Sequence, residues 1–218
     1  MLNKQKGRIY KSKQSYEAQK RKANHIEACF YLKEMLNGLL LGDGSFEISE
    51  RGKSASYSHG DKHESYIYWL SRKLDLYGLR QSGKIIKMKN NAYKYRTLFY
   101  YELYDIAKYW YPKGKKTIPD YMKIRPNILK HWYIGDGNFS DTPIIDSSIF
   151  KFNKLEFLCK ELSRMNIKFT LRKFKDRSRI RISAKSQELF FKYILSDDPF
   201  IHDCYAYKFP KEFLYGIK

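Results

Sequence analysis

Apolar residues crowd positions 26–41: Ile26, Ala28, Cys29, Phe30, Leu32, Met35, Leu36, Leu39, Leu40 and Leu41. They cover more than one side of a 3.6-residue period, which predicts a helix buried on more than one face. The stretch stops at Gly42-Asp43-Gly44. Strands are expected near 46–49 and 54–59. A helix is expected at 64–77, with Ile67, Leu70, Leu74 and Leu76 on its apolar side, ended by Gly78. Two further strands, 84–89 and 93–101, flank the turn-forming Asn90-Asn91. A short helix at 103–110 and a loop from Pro112 to Pro119 follow.

The order then begins again. Pro126 stands where a first helical position tolerates proline, and a helix to Ile134 stops at Gly135-Asp136-Gly137. A strand near 143–147, a helix at 154–165, strands at 168–175 and 179–183 and a helix at 186–195 complete the series. The two Gly-Asp-Gly tripeptides are 93 positions apart, Leu70–Leu74 matches Leu158–Leu162 at an offset of 88, and Lys116…Pro119 matches Lys208…Pro210 near 92. Three weak correspondences in one order make an internal repeat. The expected fold class is α/β (α+β): two pseudo-symmetric αββαββα halves, 26–119 and 120–218, behind a basic N-terminal arm, 1–25.

Charge says what such a fold meets. Lys and Arg number 43 against 23 Asp and Glu, a formal +20. That excess repels itself in a compact state unless a polyanion screens it, and the usual polyanion is nucleic acid. A membrane surface fits poorly, because no basic helix has a clean apolar face. No apolar run is long enough to span a bilayer, and the N-terminus lacks a signal peptide's apolar stretch. Cys29, Cys159 and Cys204 are odd in number and lack metal-ligand spacing, so free thiols in a reducing, intracellular compartment are expected.

The chemistry centres on Asp43 and Asp136. One Gly-Asp-Gly can be an ordinary helix end, with glycine in a left-handed conformation and the aspartate solvated. Yet a carboxylate there meets the negative end of the helix dipole, and a divalent cation offsets that repulsion. Mg²⁺ takes a few carboxylates, carbonyls and waters, and helix C-termini offer unpaired carbonyls. Helices packed side by side on a pseudo-two-fold axis would bring both aspartates to its base, with Gly38 and Gly42 allowing close approach. Two carboxylates sharing metals stabilise the attacking and leaving oxygens of a phosphodiester displacement.

Leu36-Asn-Gly-Leu-Leu-Leu-Gly-Asp-Gly44 and, more loosely, Leu129-Lys-His-Trp-Tyr-Ile-Gly-Asp-Gly137 resemble the signatures of single-chain, two-motif LAGLIDADG homing endonucleases. The resemblance covers about 27–210. It implies motif helices at the interface and catalytic metal on Asp43 and Asp136, with the carbonyls of Gly42 and Gly135 as further ligands. Mg²⁺ is the expected cofactor, with Mn²⁺ able to substitute. The segment Lys115-Lys116-Thr117-Ile118-Pro119 and its counterpart Tyr207-Lys208-Phe209-Pro210 resemble the family segments that carry an active-site lysine. This assigns Lys116 and Lys208 as paired basic residues, with Lys115 a rival to Lys116. A lysine there can polarise the attacking water or stabilise phosphoryl charge. His131 departs from the signature's glycine, so helix contact at that level is expected to be asymmetric, with Gly38 accommodating it.

The resemblance also implies two saddle-shaped antiparallel sheets in the major groove of double-stranded DNA. Lys94 and Arg96 alternate with tyrosines, and Arg177, Arg179, Arg181 and Ser183 alternate with Ser178, Ile180 and Ile182, which sets cations on one strand face. Lys84, Lys87, Lys89, Arg172, Lys173 and Lys175 are expected to thicken that surface. Some of these can read base edges, and others hold phosphates. His59 and His63, flanking Asp61, are expected to be solvated or phosphate-contacting, since no third ligand is evident. Trp69, Trp110 and Trp132 are expected in the core. The expected function is intron homing by a monomer that cuts both strands of a long target, with intron RNA as the rival partner if the chain is a maturase. A DNA-binding regulator that has lost catalysis would need neither aspartate nor lysine.

Overall fold

The computed structural model describes residues 24–49, 53–147, 149–174 and 177–215. Its first half runs α1 (Phe30–Leu41), β1 (Ser45–Ile48), β2 (Ala55–Asp61), α2 (Glu64–Asp75), β3 (Ile86–Lys87), β4 (Tyr93–Arg96) and α3 (Tyr101–Trp110). The second runs α4 (Pro126–Asp136), β5 (Gly137–Phe139), β6 (Pro143–Asp146), α5 (Phe152–Arg164), β7 (Phe169–Phe174), β8 (Arg177–Ile182) and α6 (Gln187–Ile194). A 3₁₀ segment, Asp203–Lys208, and α7 (Lys211–Tyr215) follow. Each half carries one antiparallel four-stranded sheet, ordered β1-β2-β4-β3 and β5-β6-β8-β7. The identical order is the repeat seen in three dimensions.

The motif helices α1 and α4 pack against one another, which is why α1 is buried on more than one side from Leu32 to Leu41. A Cβ placed on Gly38 would lie 2.5 Å from the Ile128 carbonyl oxygen and 2.8 Å from His131 Cβ. Only a hydrogen fits there, and the bulk of His131 on one helix is accommodated by its absence on the other. Trp110 and Trp132 are fully buried; Trp69 is half-buried and stacks on Phe200 at 5.5 Å. Among the described residues no helix is long and apolar enough to cross a membrane.

Several boundaries differ from the sequence reading. The first helix begins at Phe30 rather than Ile26, because Asn24, His25 and Ile26 are tied elsewhere. Asn24 Nδ2 donates to Phe99 O (3.0 Å), His25 Nδ1 lies 2.8 Å from Glu102 Oε1, and the Ile26 amide donates to Glu102 Oε2. The rest of the expected arm, residues 1–23, lies outside the described residues. The strand expected at 84–89 shrinks to Ile86–Lys87, and the one at 93–101 ends at Arg96. Between them Asn91 takes φ 61° in the turn, where asparagine tolerates the left-handed region.

Candidate active site

The two aspartates sit where the motif helices end side by side. A Cβ on Gly42 would lie 3.4 Å from Gly135 Cα and 3.7 Å from Asp136 Oδ1, and one on Gly135 would lie 3.4 Å from Gly42 Cα. The glycines of the tripeptides are thus packing residues: none of the four has positive φ, so the left-handed cap that such a tripeptide suggests is not formed. Asp43 is exposed and Asp136 half-buried, so both carboxylates remain reachable.

The lysines approach the same point from outside the helices. Lys116 Nζ donates to the carbonyls of Gly42 (2.9 Å) and Gly44 (2.7 Å), while Lys208 Nζ donates to those of Ile134 (2.6 Å) and Gly135 (3.2 Å). The neighbouring Lys115 is exposed, which separates it from Lys116. Gly42 and Gly135, expected as carbonyl ligands, here accept lysine ammonium groups; each carbonyl oxygen retains a second lone pair.

Electrostatics marks this cluster. Burial, and then the negative charge of Asp43, raises the Asp136 carboxyl to about 7, against the opposing pull of Lys116. Burial lowers Lys116 and Lys208 to about 8, although Asp136 and Asp43 favour their charged forms. A pair of carboxylates that repel each other at this range is what a divalent cation would relieve. The donors are oxygens only, the hard set that suits Mg²⁺-like ions. Among the described residues no group of three or more His, Cys, Asp and Glu side chains could hold a metal. Water, carbonyl and phosphate oxygens would therefore complete any coordination shell.

The pleat decides the fate of the other expected residues. In β8, Arg179 and Arg181 are exposed while Ser178, Ile180 and Ile182 are buried. The register sets Arg172 of β7 directly opposite Arg179 and Thr170 opposite Arg181. Two facing arginines repel one another on a bare sheet, and among the described residues only Arg179 of the two has a counter-charge, Asp146 at 3.3 Å. In the first sheet Lys94 is exposed, and Arg96 pairs with Glu47 at 2.5 Å. Lys84, Lys89 and Lys173 are exposed as expected of a charged surface.

Other residues depart from expectation. Lys87 is exposed like Lys84 and Lys89, but its pairing partner is Tyr93, whose ring centroid lies 5.7 Å from its ammonium. Ser183 lies just past β8 with its Oγ buried, hence unavailable to a groove. Lys175 and the Arg177 side chain lie outside the described residues.

His59 and His63 correct the sequence reading most clearly. His59 is buried, because Tyr57, His59 and Asp61 alternate onto the inner face of β2. It pairs with Tyr57 OH at 2.9 Å, and burial lowers its pKa. His63 donates its amide to Asp61 Oδ1 at 2.7 Å. The polar cluster of His59, Asp61, His63 and Tyr205 beside the site was missed; the alternation in β2 was the available signal for its first two members.

Two touching helices that each end in an aspartate, each at the head of an α/β half with its own antiparallel sheet, define a LAGLIDADG fold. The model of the LAGLIDADG DNA endonuclease family matches residues 33–190, and the chain belongs to that family. The homing endonuclease I-WcaI bound to its DNA recognition sequence superposes with a TM-score of 0.71 at 21% identity, covering 89% of this chain and 90% of that one. I-DmoI in complex with DNA and Mn superposes with a TM-score of 0.57 at 17% identity, covering 76% and 97%. Cytochrome b mRNA maturase bI2 of Debaryomyces hansenii is 29% identical over 159 residues, 64% of this chain and 59% of that protein. The chain spans about half the length of the curated relatives it matches, 44% and 59% of the two.

Proposed function

We propose that this protein is a site-specific homing endonuclease, acting inside the cell as a monomer, that hydrolyses both strands of a long duplex DNA target. The observation that carries the reading is the pair Asp43 and Asp136, set against each other at the ends of touching helices, each with a lysine on its own helix-end carbonyls, Lys208 buried and Lys116 half-buried. The outward arginines and lysines of the two sheets supply phosphate and base contacts, and the net charge of +20 supplies the attraction.

In each strand a water oxygen bonds to phosphorus as one P–O ester bond breaks, and the leaving oxygen takes up a proton. Asp43 and Asp136 are the residues that would hold Mg²⁺ or Mn²⁺, which supplies charge stabilisation to the attacking and leaving oxygens. Lys116 and Lys208, with pKa values of about 8, can each hand a proton to or take one from solvent near neutrality, and each can hydrogen-bond a phosphoryl oxygen. The helix-end packing fixes the spacing between the two half-sites.

The test is cleavage of a randomised duplex library with Mg²⁺ or Mn²⁺, wild type against Asp43→Asn and Asp136→Asn. Cuts at one long site, lost in both variants, support the reading. Tight DNA binding without cuts in any divalent metal removes it. A second reading, an RNA maturase, is favoured by the similarity to the maturase of D. hansenii; it predicts tighter binding to folded intron RNA than to any duplex.

A further inference from the structure

We propose that Asp61 and Tyr205 form a strut between the two halves that positions Lys208, and that the half-site lacking such a strut makes the two strand cuts unequal. The inference rests on the endonuclease reading above.

Asp61 ends β2 in the first half, and Tyr205 lies in the 3₁₀ segment of the second, 144 residues away. Tyr205 OH donates to Asp61 Oδ2. The other carboxylate oxygen, Oδ1, accepts the His63 amide at 2.7 Å and lies 3.0 Å from His63 Nδ1. Asp61 is 8% exposed and Tyr205 4%, so these bonds face no competing solvent. The Tyr205 ring is clamped edge-on by Tyr66 at 4.9 Å and by His63 at 5.1 Å.

That ring carries the lysine. Lys208 Nζ stands 4.9 Å from its centroid, a cation–π contact, while donating to the carbonyls of Ile134 and Gly135 immediately before Asp136. Tyr133 OH anchors the Lys208 carbonyl at 2.7 Å. A path of direct contacts thus runs from β2 of one half through Tyr205 to the ammonium beside Asp136.

Among the described residues Lys116 has no equivalent brace. Its ring neighbour is Phe150 at 5.8 Å, which has no polar atom to pin it. Three residues before Lys116, where Tyr205 stands before Lys208, the chain has the exposed Lys113. One ammonium is therefore held by a hydrogen-bonded tyrosine and the other by packing and carbonyls. Holding a reacting group in place is worth rate: a displacement of about 1 Å costs on the order of a hundredfold, and loss of an outer partner about ten- to a hundredfold.

The experiment is single-turnover cleavage of the duplex recovered from the library, its two strands labelled separately, by wild type, Tyr205→Phe, Asp61→Ala, the double variant and Lys208→Met. The expected result is that Tyr205→Phe and Asp61→Ala each slow one strand by roughly ten- to a hundredfold, the strand that Lys208→Met also slows. Nicked product accumulates, DNA affinity stays near wild type for Tyr205→Phe while its melting temperature falls by a few degrees because Asp61 Oδ2 loses its buried partner, and the double variant is no slower than the slower single one. Equal slowing of both strands, slowing of the strand that Lys208→Met spares, or additive single effects overturns the strut. A wild type that cuts neither strand overturns the endonuclease reading and the strut's role in it together.

Discussion

His131 lies in the α1–α4 interface, buried against Gly38, and its Nδ1 has no hydrogen-bond partner among the described residues. Burial, reinforced by the charge of Lys130 and opposed by Asp198, lowers its pKa to about 3. An unfolded histidine titrates near 6.5. The folded value is the lower one, so the unfolded state binds the extra proton between about 6.5 and 3, and stability falls as the pH falls through that window. Each pH unit inside it removes about 1.4 kcal/mol, so at pH 5 the loss is about 2 kcal/mol relative to neutral pH. Domains of this kind are stable by about 5–15 kcal/mol, so the effect is measurable. The assay is urea unfolding of wild type and His131→Gln at pH 7.5 and pH 5. Glutamine does not titrate; the stability difference between the proteins should therefore change by about 2 kcal/mol between the two pH values. If both proteins lose stability in parallel, His131 is not buried in its neutral form, and the tight contact with Gly38 is misplaced.

Gly38→Ala should destabilise the fold by about 1–3 kcal/mol, since the new methyl meets backbone of Ile128 that cannot swing aside. Adding His131→Gly should not restore the urea midpoint, because the Ile128 carbonyl remains; full restoration would contradict the contact. Lys116→Met should lower strand cleavage by on the order of 10²-fold or more, while Lys115→Met, at an exposed residue off the site, should stay near wild type in the same assay. Arg172→Gln should flatten the dependence of log affinity on log salt by about one phosphate contact, a slope change near 0.9, without altering the sequence that is cut. A shifted sequence preference would mean that Arg172 reads a base.

The aspartates, the repeat and the lysine pair were legible because each is written in local order: a tripeptide ending an apolar run, then the same run 93 positions later. Strand-scale features were legible where alternation was strong, as in Arg179 to Ile182, and were not where an element is only two or three residues long. β3 and β5 are of that size, and neither can show a period. The helix start at Phe30 was hidden because tertiary bonds from Asn24 and Ile26 to Phe99 and Glu102 outbid helix formation there. Burial of His59 followed from register: Tyr57, His59 and Asp61 share one face of β2, and a histidine between serine and glycine gives no apolar signal of its own. The Asp61–Tyr205 bond has no local trace, since its partners meet only when the two halves dock.

The interface explains why two unequal halves in one chain can do what two equal ones cannot. Gly42 and Gly135 occupy equivalent positions and meet each other, so the helix ends that carry the aspartates approach symmetrically. Four residues earlier the equivalent positions are Gly38 and His131, and there the contact is complementary rather than symmetric. A pair of identical first halves would face glycine with glycine and leave a void. A pair of identical second halves would face histidine with histidine, in a space where even a methyl on Gly38 meets Ile128 and His131 inside van der Waals contact. Joining the repeats lets one level of the interface stay symmetric for the chemistry while the next diverges for packing. The same freedom allows Lys208 a tyrosine brace and leaves Lys116 beside a phenylalanine, so unequal strand rates are the expected consequence of how this interface is built.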